Sequence, residues 1–286
     1  MPIRLCLAGA TGWAGSALAL TLAKTTDIRT VSAVSRTHAQ RILDEMSAAL
    51  GPYFSVRPKA ALKVERVPKF REKGSAKAYY QPVDLSGTRP GVFYANLRDM
   101  NEIQKFGMKT LSYHEGIPGH HFQLAIAQEL KGLPFFRRLV PFTAYVEGWA
   151  LYAEKLAREI GFYKDDPYGE LGYLDSELFR AVRLVVDTGI HHKQWTREQA
   201  IEYMETHTAS AYESIVSEIE RYIVMPGQAC AYKIGEIKMV ELRDKARKAL
   251  GDKFDLRKFH DVVLKNGSMP LNILELVVDA YITSTL

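Results

Sequence analysis

Three histidines and a carboxylate crowd into one short, otherwise apolar stretch, Tyr113-His114-Glu115-Gly116-Ile117-Pro118-Gly119-His120-His121-Phe122-Gln123. A Glu placed directly after a His, with further imidazoles close behind, is the arrangement of zinc hydrolases. The imidazoles hold the ion and the Glu takes a proton from water. The usual ligand spacing is four, and here residue 118 is proline. On an undistorted helix His114 and His121 share a face but stand roughly 10 Å apart along the axis, and His120 points elsewhere. Pro118 cannot donate to the carbonyl of residue 114, and Gly116 and Gly119 tolerate unusual dihedrals. The sequence therefore predicts a bulge or kink at which the ligands converge. Aligning Gly119-His120 with the Gly-His that closes the shorter motif makes His120 the second ligand after His114, with His121 as the alternative.

A third ligand is offered by Tyr145-Val146-Glu147-Gly148-Trp149-Ala150-Leu151-Tyr152-Ala153-Glu154, in which Glu147 lies 27 residues after His120. Its neighbours are apolar, and a buried carboxylate needs a cation, which is either a metal or a lysine or arginine. A helix, a loop through Pro134 and Pro141 and a second antiparallel helix would return Glu147 to the histidines. Glu154 is assigned to an ion pair with Arg158, one turn further on.

These two blocks resemble the bacterial domain-of-unknown-function 885 family. The resemblance runs from about residue 38 to the C-terminus and includes Tyr79-Tyr80-Gln81-Pro82, Arg89-Pro90-Gly91-Val92-Phe93-Tyr94, Asp187-Thr188-Gly189-Ile190-His191 and Pro226-Gly227-Gln228-Ala229. It implies a zincin-like, all-helical zinc peptidase of carboxypeptidase or oligopeptidase type. Members of that family are usually about twice as long, so the match corresponds to their C-terminal half.

Residues 1–37 read differently. A short apolar strand, Ile3 to Ala8, leads into Gly9-Ala10-Thr11-Gly12-Trp13-Ala14-Gly15, a helix follows from Ser16, and a second strand from Ile28 to Val34. This is the opening of a βαβ Rossmann-like dinucleotide-binding unit and looks like the start of a dihydrodipicolinate reductase. The remaining alternation of strands and helices never arrives, so no cofactor-binding residue is assigned there and a join near residues 36–40 is expected. An NAD(P)-dependent reductase and a catalytically silent fusion that binds metal or a partner are the competing readings.

The rest of the composition is that of a globular chain: 286 residues, 47% hydrophobic, 25% charged, net charge +5. Lys and Arg are scattered among Asp and Glu, which speaks against a nucleic-acid partner, and no apolar run is long enough to span a membrane. Two cysteines, Cys6 and Cys230, make neither a disulfide framework nor a cysteine zinc site. With no clear signal peptide, a cytoplasmic location is favoured, and an apolar face left by the missing half would promote self-association.

To position the chemistry, the pattern predicts a mainly α fold with a small antiparallel sheet. Strands are expected over 61–67, 78–81 and 91–97, the last as an edge strand able to pair with an extended substrate. Helices are expected over 41–50, 101–130, 142–161, 167–190, 197–205, 208–223, 227–250, 256–265 and 270–284, with Thr196 as an N-cap.

Hydrolysis also needs a donor for the developing oxyanion, and a carboxypeptidase needs a cation for the substrate carboxylate. His191, His192, Tyr222 and Tyr232 are the donor candidates, with His191 and Tyr232 put forward; Arg183, Arg221 and Arg243 are the cations, with Arg183 and Arg243 put forward. The expectation is a zinc metallohydrolase for peptides or small amides. His114, His120 and Glu147 would hold the metal and Glu115 would act as general base.

Overall fold

The computed structural model describes residues 36–84, 88–97, 105–139 and 141–286. The dinucleotide-binding-like segment lies, but for its last two residues, outside the described residues. In chain order the elements are α1 (Arg36–Ala49), β1 (Leu62–Arg66), β2 (Ala78–Gln81), β3 (Gly91–Ala95), α2 (Met108–Glu115), α3 (His120–Glu129), α4 (Phe135–Leu139), α5 (Thr143–Glu159), α6 (Pro167–His191), α7 (Arg197–His207), α8 (Tyr212–Val224), α9 (Gln228–Leu250), α10 (Leu256–Leu264) and α11 (Leu271–Thr285). The described chain is thus mainly helical, as the periodicity predicts.

Two compact units are present. Among the described residues, the first comprises 105–110 and 155–230, and the second 36–84, 88–97, 111–139, 141–154 and 231–286.

In the first unit, α6, α7 and α8 pack around one core. Apolar residues three and four apart supply it: Val182 and Val186 from α6, Ala200, Ile201 and Met204 from α7, and Ile215, Ile219 and Tyr222 from α8. Helix α6 starts at Asp166, whose carboxylate accepts from the Gly169 backbone N–H, with Pro167 in its first turn. Thr196 caps α7 as expected, and Gln199 completes a reciprocal capping box.

In the second unit, α1 lays Ala39, Ile42, Leu43 and Met46 into the core beside β1. The sheet has the order β1-β3-β2, with β1 and β3 parallel and β2 and β3 antiparallel. This corrects two expectations. The sheet is mixed rather than antiparallel, because β3 inserts between the two earlier strands instead of pairing only with its predecessor. For the same reason β3 is the central strand, and both its edges are already hydrogen-bonded. The helix expected over 101–130 is also interrupted, ending at Glu115 and restarting at His120. Helix α3 is buried along most of its length, through His120, His121, Phe122, Gln123, Ala125, Ile126 and Ala127, and packs against β3, α4 and α10.

Candidate metal centre

The break between α2 and α3 is where the chemistry gathers, entirely within the second unit. Gly116 N–H still donates to Ser112 O, closing the last turn of α2, and Phe122 N–H reaches back to Gly116 O at 3.3 Å. The Ile117-Pro118 peptide is cis. Between them the chain folds back on itself so tightly that a Cβ on Gly119 would lie 1.9 Å from the His114 carbonyl oxygen. Only glycine fits that approach. The Trp149 indole N–H donates to Pro118 O at 2.8 Å and fastens the turn to α5.

The turn delivers the imidazoles that an unbroken helix would hold apart. The His114 and His120 rings meet edge to face with centroids 4.7 Å apart. Glu147 Oε2 of α5 lies 3.2 Å from His120 Nε2 and 3.9 Å from His114 Nε2. One donor atom from each of the three residues lies within 4.8 Å of the other two. Ligand atoms around a tetrahedral Zn²⁺, at about 2.0–2.1 Å from the ion, stand roughly 3.3 Å apart; the donor types suit such an ion and the His120–Glu147 contact has that spacing, while the wider separations, up to 4.8 Å, would have to close around it. Glu115, next to His114 at the end of α2, is buried. His121, the alternative ligand, takes a different environment. It too is buried, its Nδ1 is 3.0 Å from the Tyr80 hydroxyl, and burial pushes its pKa down to about 4 against an opposing backbone hydrogen bond at Ala60. Burial likewise raises the Tyr80 phenol above its ordinary value.

Glu154 corrects a sequence expectation. Its carboxylate is 2.6 Å from His114 Nδ1, while Arg158 donates to Glu170 at 2.8 and 2.9 Å. Tyr232 of α9 is the expected donor that reaches the cluster: its ring stacks on His114 at 6.2 Å between centroids. Helix α9 can come so close because Gly148 and Gly235 face each other with Cα atoms nearly touching, a Cβ on Gly235 meeting Gly148 Cα at 2.6 Å.

The other expected residues have hydrogen-bond partners of their own. His191 belongs to the first unit, where its Nε2–H donates to Tyr222 O at 2.9 Å. Arg183, in the same unit, lies buried over the Tyr222 ring and donates to Gln228 Oε1 at 3.2 Å. The Asp187 carboxylate accepts from Gly227 N–H, which ties together the two sequence blocks that contain them. In the second unit Arg243 enters a buried directional chain. Its Nη1 donates to the Tyr152 hydroxyl oxygen at 3.3 Å, Tyr152 O–H donates to His260 Nε2 at 2.8 Å, and His260 Nδ1–H donates to Tyr53 O at 2.8 Å. The direction follows because the Tyr53 carbonyl can only accept. Phe54 stacks on His260 and Trp149 meets its edge. Sequence reasoning did not single out His260, Tyr80 or Trp149. For Glu154 a signal did exist: it stands seven residues after Glu147, which on a helix is the same face.

Fold and cluster together describe a mainly helical protein with two buried histidines and a half-buried glutamate gathered at an interrupted helix. The chain belongs to the family described as bacterial protein of unknown function (DUF885), which matches residues 19–278. It is similar to the crystal structure of a candidate lipoprotein from Colwellia psychrerythraea, at 44% identity and a TM-score of 0.90 over 94% of this chain and 47% of that one. A candidate lipoprotein of unknown function from Shewanella oneidensis shares the fold, at 22% identity and a TM-score of 0.75 over 96% of this chain and 50% of that one. The chain therefore spans about half the length of either. No curated protein matches it. Among the described residues no helix is long and apolar enough to cross a membrane, and the expected cytoplasmic location gains nothing from these neighbours.

Proposed function

We propose that the protein is a zinc-dependent hydrolase acting on peptides or small amides, with His114, His120 and Glu147 as the metal ligands. The observation that carries the reading is the convergence of these three donor groups within 4.8 Å, with a buried carboxylate, Glu115, directly after the first of them. Zinc held there would supply Lewis acidity toward a substrate carbonyl and lower the pKa of water. Glu115 accepts the proton of the attacking water and returns it to the departing amine nitrogen. The Tyr232 phenol, stacked on His114, is the O–H donor for the oxygen that gains charge as the amide carbonyl becomes tetrahedral. Arg183 and Arg243 are both buried and donate to other side chains, so the reading gives neither a substrate role and does not choose between end-trimming and internal cleavage.

A second reading is metal binding without turnover by the same three donor groups. Elemental analysis of the purified protein and of His114→Ala, His120→Ala, Glu147→Ala and His121→Ala variants, followed by a peptide-hydrolysis screen, separates the outcomes. About one zinc per chain is expected in the parent and in the His121 variant, and none in the other three. A parent that stays metal-free after zinc is supplied refutes the proposal, and zinc without hydrolysis on any peptide leaves the binding reading.

A further inference from the structure

The cluster holds a second carboxylate that no ligand assignment uses. Glu147 and Glu154 are seven residues apart on α5, so they fall within about 20° of the same face and roughly 10 Å apart along it. The His114 imidazole lies between them, with Nε2 at 3.9 Å from Glu147 Oε2 and Nδ1 at 2.6 Å from Glu154 Oε1. Both His114 and Glu154 are buried, at 3% and 1% exposure, so the contact is screened from solvent. Arg158, the cation one turn away, is occupied with Glu170.

A neutral imidazole carries one N–H and one lone pair, and an ionised carboxylate only accepts. A proton between His114 Nδ1 and Glu154 therefore leaves the lone pair on Nε2, the nitrogen that faces Glu147 and stands in the same cluster as His120. With the opposite tautomer two lone pairs would meet at Nδ1, and Nε2 would present a hydrogen where a ligand atom is needed. We infer that Glu154 is a positioning residue: it holds His114 in the Nδ1–H tautomer and fixes the ring so that the Nε2 lone pair faces the cluster, as a metal ligand must. Its consequence for metal binding rests on the proposed function above, whereas the tautomer is a property of the metal-free chain. Outer carboxylates that hold a ligand histidine in this way typically account for ~10–100-fold in metal affinity.

The test uses the full chain, metal-free at pH 8 and labelled with ¹⁵N-histidine, with the His114 signals assigned by their loss in His114→Asn. Long-range ¹H–¹⁵N correlation should show the Nδ1–H tautomer at His114 in the parent. Glu154→Gln can present either an oxygen or an amide N–H to Nδ1, so it should give a mixture of tautomers. It should also weaken zinc binding ~10–100-fold in competition with a chromophoric chelator. A merely structural contact would leave the tautomer and the affinity unchanged. An Nε2–H or doubly protonated His114 in the parent overturns the inference directly, even if the variant fails to fold. A parent with the Nδ1–H tautomer that takes up no zinc overturns the metal reading and leaves Glu154's hold on the ring standing.

Discussion

Replacing Gly119 by alanine tests the idea that the folded-back turn, more than any single ligand, creates the site. The added Cβ would lie 1.9 Å from His114 O and 2.3 Å from Tyr113 O, more than half an ångström inside the 3.0 Å that real Cβ contacts respect even for the looser of the two. Both obstacles are backbone atoms of the last turn of α2, so no side chain can swing away. The turn must open by about 1 Å or more, and overpacking of that kind costs about 1–3 kcal/mol. Metal–ligand distances are kept to about ±0.2 Å, so the same opening should dissolve the cluster and not merely loosen it. Urea unfolding of the metal-free protein and zinc content by elemental analysis read the two effects separately. Gly51→Ala, where an added Cβ meets nothing within 4 Å, is the control and should match the parent in both. A Gly119→Ala protein with the parent's unfolding midpoint and zinc content would refute the reasoning.

Three further outcomes follow from the packing. Tyr152→Phe removes the hydroxyl between Arg243 and His260 and leaves the His260 Nε2 lone pair without its donor, so urea unfolding should show a loss of about 1–3 kcal/mol; a loss under ~0.5 kcal/mol would mean the chain of bonds contributes little. Gly235→Ala places a Cβ 1.9 Å from Ala144 O, so α5 and α9 must separate and the melting temperature should fall, whereas an unchanged value would show that the two helices have slack. Glu218 addresses pH. Burial pushes its carboxyl up, but the charge of Arg221 and its hydrogen bond, with Arg183 and the Tyr222 hydroxyl, outweigh this and hold it below the ordinary value. Its contribution is therefore present above the unfolded pKa of about 4.3 and is lost as pH falls through the lower folded value. Between pH 5 and 2 the parent should lose more stability than Glu218→Gln, and parallel pH curves would contradict the assignment.

Much of this architecture is legible where the cause is local. The apolar stripes of α6 and α8 repeat at three and four residues, and Thr196 with Gln199 spells its capping box in four letters. The residues that gather at the broken helix are legible from residue type, because imidazoles and a carboxylate stand out in apolar runs where polar groups need partners. What the sequence hides is competition between local and distant partners. Arg158 is well placed for Glu154 along the helix, yet His114, 40 residues away, takes the carboxylate and Glu170 takes the guanidinium. The order β1-β3-β2 is hidden for a similar reason, since pairing of short strands depends on long-range closure that no local pattern encodes. His260 gives no sign of itself: a single histidine in a C-terminal helix gains meaning only when Tyr53 and Tyr152 arrive from elsewhere.

The seven-residue interval between Glu147 and Glu154 makes α5 a ruler. Inserting or deleting one residue between the two carboxylates would swing one of them by about 100° around the axis, so no partial compensation is available. The segment joining α3 to α5 carries no such graduation, because the partners of His114 are set by the helix and not by the length of chain that leads to it. A change in the length of that connection leaves the interval on α5 as it is, whereas a change within α5 does not. The seven residues on α5 are therefore a helical angle, and the twenty-seven before them only a length of chain.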